Sequence, residues 1–170
     1  GAVVNTTVSG AEGTGTNSVS IPTTGLPTEL IVDTGDGNDV VSLSGNQYFS
    51  SVDLLPGNGN DATWLGTSFP AGNLSVGSAD DAVEFLSPIG NGLYVGGNVE
   101  LHTSGSIRFS EPIVGGSVYL QAGIDVIDDD LTPIESTNDD SFIKIFAGRD
   151  IIIREFVQTR GSNSDVTLSA

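Results

Sequence analysis

Seven oxygen-bearing side chains recur at one place in a repeating unit, and together they have the chemistry of a hard-cation site. Gly35-Asp36-Gly37-Asn38-Asp39-Val40-Val41-Ser42-Leu43 returns as Gly57-Asn58-Gly59-Asn60-Asp61-Ala62-Thr63-Trp64-Leu65. A degraded version follows as Gly77-Ser78-Ala79-Asp80-Asp81-Ala82-Val83-Glu84-Phe85. The steps are 22 and 20 residues. In this register Asn17, Asp39, Asp61 and Asp81 fall into one column, with one member per unit. Levels of a parallel sheet lie about 4.8 Å apart, where two carboxylates repel by roughly 1 kcal/mol in water and more when shielded. No Lys or Arg is near in sequence to neutralise them. A divalent cation would turn that repulsion into attraction, and oxygen donors from Asp, Asn and Gly carbonyls suit Ca2+. The candidate ligands are Asp36, Asn38, Asp39, Asn60, Asp61, Asp80 and Asp81. The competing reading is a solvated turn, with Asn17, Asn38 and Asn60 as a hydrogen-bonded ladder.

Such a column needs elements that hold its members in register. A unit of 20 to 22 residues cannot bury its own apolar face and must stack to do so. Apolar pairs flank each turn: Leu30-x-Val32, Val52-x-Leu54, Leu74-x-Val76, Leu93-x-Val95, Ile107-x-Phe109, Ile124-x-Val126 and Ile151-x-Ile153 before it. After it come Val19-x-Ile21, Val41-x-Leu43, Thr63-x-Leu65, Val83-x-Phe85, Val99-x-Leu101, Val118-x-Leu120, Ile143-x-Ile145 and Val166-x-Leu168. The residues between them are mostly polar, which is the alternation of a strand with one buried face. The expected fold is all-β: one parallel β-solenoid over residues 1–170, of about eight coils of roughly 20–22 residues. Each coil would be strand, turn, strand and connector. Parallel crossovers are right-handed in nearly all proteins, so a right-handed β-helix is expected. The acidic stretch from Asp128 to Asp140 reads as a loop inserted between two coils.

The net charge is −17. Residues 1–107 carry 11 acidic groups and no Lys or Arg, and all five basic residues (Arg108, Lys144, Arg149, Arg154, Arg160) come later. A basic face is what phosphate binding needs, so nucleic acid is not an expected partner. No apolar run is long enough for a membrane-spanning helix. Cysteine is absent, and there is neither an initiator Met nor a signal peptide. These features predict a mature product, or a segment of a longer extracellular assembly.

The turns at residues 35–41 and 57–61 resemble the calcium-binding nonapeptide of repeats-in-toxin proteins, Gly-Gly-x-Gly-x-Asp-x-apolar-x. This chain departs from it: Thr34 and Pro56 stand where the first Gly belongs, Ala79 replaces the central Gly, and each coil has one motif instead of two. Residues 92–170 resemble filamentous-haemagglutinin-type adhesin repeats. Gly96-Gly97-Asn98-Val99-Glu100-Leu101, Gly115-Gly116-Ser117-Val118-Tyr119-Leu120-Gln121-Ala122 and Ala147-Gly148-Arg149-Asp150-Ile151 carry that likeness. The resemblance implies a large secreted β-helix at the cell surface.

The expected function is therefore an extracellular structural or adhesive solenoid, a surface-fibre or adhesin segment, stabilised by Ca2+ at its acidic turns. Expected partners are further copies stacked head to tail through the solenoid ends, and a cell-surface glycan or protein receptor. The alternative is a polysaccharide-binding or polysaccharide-degrading parallel β-helix. Catalysis of that kind needs two positioned carboxylates. Asp80-Asp81 and Asp139-Asp140 are adjacent in sequence, and neighbours on a strand point to opposite faces. The single histidine, His102, reads as a surface residue, and no enzyme is expected. Trp64, Tyr94 and Tyr119 read as outward-facing aromatics that could meet a sugar or a neighbouring subunit.

Overall fold

The alternation seen in the sequence is built as strands that pair in parallel, one coil apart. The computed structural model describes residues 29–46, 49–55, 57, 61–69, 72–77, 82–85 and 92–170. The first face is a seven-stranded sheet of β1 (Glu29–Asp33), β3 (Ser51–Leu55), β5 (Asn73–Gly77), β8 (Val99–Thr103), β11 (Val118–Ala122), β14 (Phe142–Ala147) and β17 (Asp165–Ser169). All neighbouring pairs in it are parallel, and Val52, Leu74, Val99, Val118, Ile143 and Val166 share one register column. The described strands therefore stack seven levels deep on this face, slightly fewer than the eight coils expected. The unit carried by Val19-x-Ile21 lies outside the described residues.

The second face holds β2 (Val40–Asn46), the first half of β4 (Ala62–Phe69), β6 (Ala82–Phe85), β9 (Ile107–Phe109), β12 (Asp125–Asp128) and β15 (Asp150–Ile152). A third face holds β7 (Leu93–Val95), β10 (Ile113–Gly115), β13 (Ile134–Ser136) and β16 (Val157–Thr159). The far end of β4 pairs with β7, so β4 runs from the second face into the third. From β8 onward each coil has three strands, not the expected two.

Two sequence expectations are corrected by this register. The column Val41, Thr63 and Val83 continues through Ile107, Val126 and Ile151, not through Val99. Val99 and its successors belong with Leu30, Val52 and Leu74 on the first face. The step from Val83 to Val99, 16 residues against 19 to 25 elsewhere, marks where the apolar pairs change face. In the coils from β8 onward the third strand escapes the alternation because Ile113–Gly115, Ile134–Ser136 and Val157–Thr159 carry no apolar-x-apolar pair. The stretch from Asp128 to Asp140 includes one of these strands, β13, and its Ile134 and Ser136 are fully buried.

The interior is a stack of aliphatic side chains from all three faces. Val52, Leu54, Leu74, Val76, Val99, Leu101, Val118, Leu120, Ile143 and Ile145 come from the first face, Ile107, Phe109 and Val126 from the second, and Leu93, Ile113 and Ile134 from the third. Each member sits on the residue one coil below, so burial is continuous along the axis. No helix in the described residues is long and apolar enough to cross a membrane.

Candidate cation site at the acidic corner

The chain turns from the first face to the second at one corner, which holds the acidic turn Gly35–Asp39 and the Ala-Gly-x segments, while Gly96-Gly97-Asn98 and Gly115-Gly116-Ser117 lie where the third face returns to the first. In the early coils this corner is the long acidic turn between β1 and β2, where Gly35 and Gly37 adopt positive φ (77° and 146°) that side chains disfavour. In the later coils it shortens to Thr103-Ser104-Gly105, Ala122-Gly123-Ile124 and Ala147-Gly148-Arg149. The toxin-like turns and the adhesin-like Ala-Gly-x segments are therefore long and short versions of one structural position.

At the acidic corner Asp39 and Asp61 stack on adjacent levels, as the expected column requires. Both are buried, with 8% and 6% of their surface exposed. The backbone N–H of Asp39 donates to Asp61 Oδ1 at 2.8 Å. Asp39 Oδ2 is buried and accepts no hydrogen bond. A buried carboxylate oxygen without a donor is unfavourable by the full desolvation of that atom, unless a cation meets it. Asp36 and Asn38 lie in the same turn but are exposed, and are not packed into the column. Asn60, Asp80 and Asp81 lie outside the described residues, as does Asn17. Among the described residues no group of three or more His, Cys, Asp or Glu side chains converges as a metal cage. Among the described residues, the donors available to a cation here are the Asp39 and Asp61 carboxylates and backbone oxygens, which suit Ca2+.

Carried upward in register, the Asp39/Asp61 position becomes Gly105, Ile124 and Arg149. Ile124 N–H donates to Gly105 O at 2.9 Å, and Arg149 N–H to Ile124 O at 2.8 Å. Arg149 then takes the place of the acid, and its guanidinium grips Asp125 of the coil below through Nε and Nη2. Two further arginines bridge levels in the same way. Arg108 meets Asp129 through Nε and Nη2 at 3.2 and 3.0 Å, and Arg160 meets Glu135 through Nε and Nη2 at 2.8 Å each. The sequence showed that the bases are confined to the second half. It did not show that three of them tie one coil to the next, because each partner lies 21 to 25 residues away.

A side-chain ladder runs at the corner where the third face returns to the first. Asn73 Oδ1 accepts the Asn98 N–H at 2.8 Å, Asn98 Oδ1 accepts the Ser117 N–H at 3.1 Å, and Ser117 Oγ accepts the Phe142 N–H at 3.3 Å. The expected ladder of Asn17, Asn38 and Asn60 involves two residues outside the described ones, Asn17 and Asn60. Asp128 is another buried carboxylate, and it is fully satisfied. The N–H groups of Asp130, Thr132 and Arg154 and the Thr132 hydroxyl all donate to it, which fixes the turn leading to β13.

No family model matches the chain, and neither a curated protein nor a solved structure does. The parallel solenoid is thus shown by the strand pairing alone, and kinship with either repeat family remains a resemblance of motifs.

Proposed function

We propose that this chain is a structural or adhesive β-solenoid of an extracellular surface protein, whose acidic corner is closed by Ca2+. The observation that carries the cation is Asp39 Oδ2, buried and without a hydrogen-bond donor beside the Asp61 carboxylate on the next level. Its support is chemical: residues 1–107 have 11 acidic groups and no Lys or Arg. A charge must come from solution to serve where arginine serves higher in the stack. The continuous interior and the strand-only architecture suit a rod that presents a surface to a receptor. Stacking of further copies through strand edges is part of the same reading, and electron microscopy of the purified chain tests it.

The decisive experiment is thermal unfolding with and without calcium. At about 1 mM Ca2+ and a Kd near the 0.1 mM of extracellular modules, linkage gives about 1.4 kcal/mol and a rise in Tm of about 3–5 °C. Asp39→Asn should abolish that rise. An unchanged Tm, together with no calorimetric heat of binding, would remove calcium from the account. A cleft further along the same corner favours binding of a glycan receptor within this adhesive reading; its lining has no carboxylate and lends no support to polysaccharide cleavage.

A further inference from the structure

The geometry points to that cleft as a binding site for a neutral sugar residue, on the levels of β8 and β11. The inference rests on the adhesive reading and names its ligand class. The cleft has a volume of about 290 Å³ and is lined by His102, Thr103, Ser104, Gln121 and Gly123. That is near the lower bound of ligand sites, so one pyranose ring fits better than a long segment. The corner is short here, and groups without formal charge stand where the early coils carry carboxylates. An imidazole, the Ser104 hydroxyl and a primary amide supply both donors and acceptors, which matches the alternating hydroxyls of a sugar, while the buried Thr103 hydroxyl accepts the Gly105 N–H at 3.0 Å and shapes the corner.

Two of these groups are held ready by one residue. The Tyr119 ring stacks on His102 with centroids 5.0 Å apart and planes 26° from parallel. The Tyr119 hydroxyl donates to Gln121 Oε1 at 2.9 Å, which leaves the amide NH2 of Gln121 to donate to a ligand. Phe146 packs on the other side of Tyr119, with centroids 5.7 Å apart, and holds it in turn. Polar arms fixed before binding lose less freedom on binding. The ring faces are occupied by one another, so recognition here is by hydrogen bonding and not by stacking on the aromatic ladder. A net charge of −17 opposes uronate, sialylated and sulfated glycans and leaves neutral ones.

The test is a titration of the isotope-labelled chain with methyl glycosides of glucose, galactose and mannose, with glucuronate as the charged comparison. Amide shifts confined to residues 102–104 and 121–123 are expected for at least one neutral glycoside. Gln121→Ala, an exposed position, should weaken that binding about tenfold, and Tyr119→Phe, which keeps the ring and loses the hydroxyl, about threefold. No shift at tens of millimolar sugar, a stronger response to glucuronate, or binding indifferent to Gln121→Ala each overturns the site. Attachment of the chain to cells or immobilised glycans that survives Gln121→Ala also overturns the site, while leaving the adhesive reading intact.

Discussion

Glu135 and Arg160 show what a carboxylate in this solenoid needs in order to be stable. Glu135 is only 7% exposed, and its pKa lies below the ordinary 4.5, chiefly through the hydrogen bond from Arg160, with Gln158 adding a second donor. Asp139 is also held below its usual 3.8, by the Ser162 backbone N–H first and the Ser162 hydroxyl second. Both groups bind protons more weakly in the folded chain than in the unfolded one. Their contribution is therefore complete above the unfolded values, near 4.5 and 3.8, and is lost as pH falls through the lower folded values. Stability measured by urea unfolding should fall below about pH 4.5. Arg160→Met should lower stability at pH 7 and flatten that acid slope; an unchanged slope would show that the pair does not set it. Asp39 has no such arginine, and this contrast between two buried carboxylates motivates the calcium proposal.

At the scale of elements, the corners decide how closely coils approach. A Cβ on Gly123 would run into the Ser104 carbonyl of the coil below, and one on Gly148 into the Gly123 carbonyl. Gly123→Ala should cost about 1–3 kcal/mol, as overpacking against backbone does. Leu120→Ala, in the centre of the stack, should cost about 2–5 kcal/mol. Chemical denaturation checks both, and a neutral Gly123→Ala would mean that the levels can move apart at this corner. The strands of the first face were legible in the sequence, because their five or six residues alternate and mark a buried side. On the third face only Leu93-x-Val95 was legible, since Ile113–Gly115, Ile134–Ser136 and Val157–Thr159 carry no apolar-x-apolar pair. The acidic corner was legible as a column, and Asp39 over Asp61 confirms that much. The arginine clamps were not, because a contact one coil away has no local signature. The Asn73–Asn98–Ser117 ladder was hidden for the same reason, and because serine replaces asparagine in its last step.

At the scale of the whole molecule, the arginine clamps are confined to the later coils. Levels from β9 upward are tied by Arg108, Arg149 and Arg160, whereas residues 1–107 contain no Lys or Arg. Calcium should therefore stabilise the early coils and leave the later ones nearly unchanged. Trp64, the single tryptophan, lies in β4 and reports on the early coils, while Tyr119 lies in β11. With a chelator present, tryptophan fluorescence should report melting at a lower temperature than far-ultraviolet circular dichroism of the whole chain, and added calcium should bring the two together. Coincident transitions in both conditions would show a single cooperative unit. The strand pairing has one more consequence, which is mechanical. Among the described residues, every strand pairs with a strand of the next coil, so the interstrand hydrogen bonds run along the rod axis. Tension applied along that axis loads the levels in series and falls on hydrogen bonds and clamps, while a sideways load falls on covalent backbone. Such a rod is strong across its width and yields lengthwise at its weakest joint, which the calcium proposal places at the two stacked aspartates when no cation is bound.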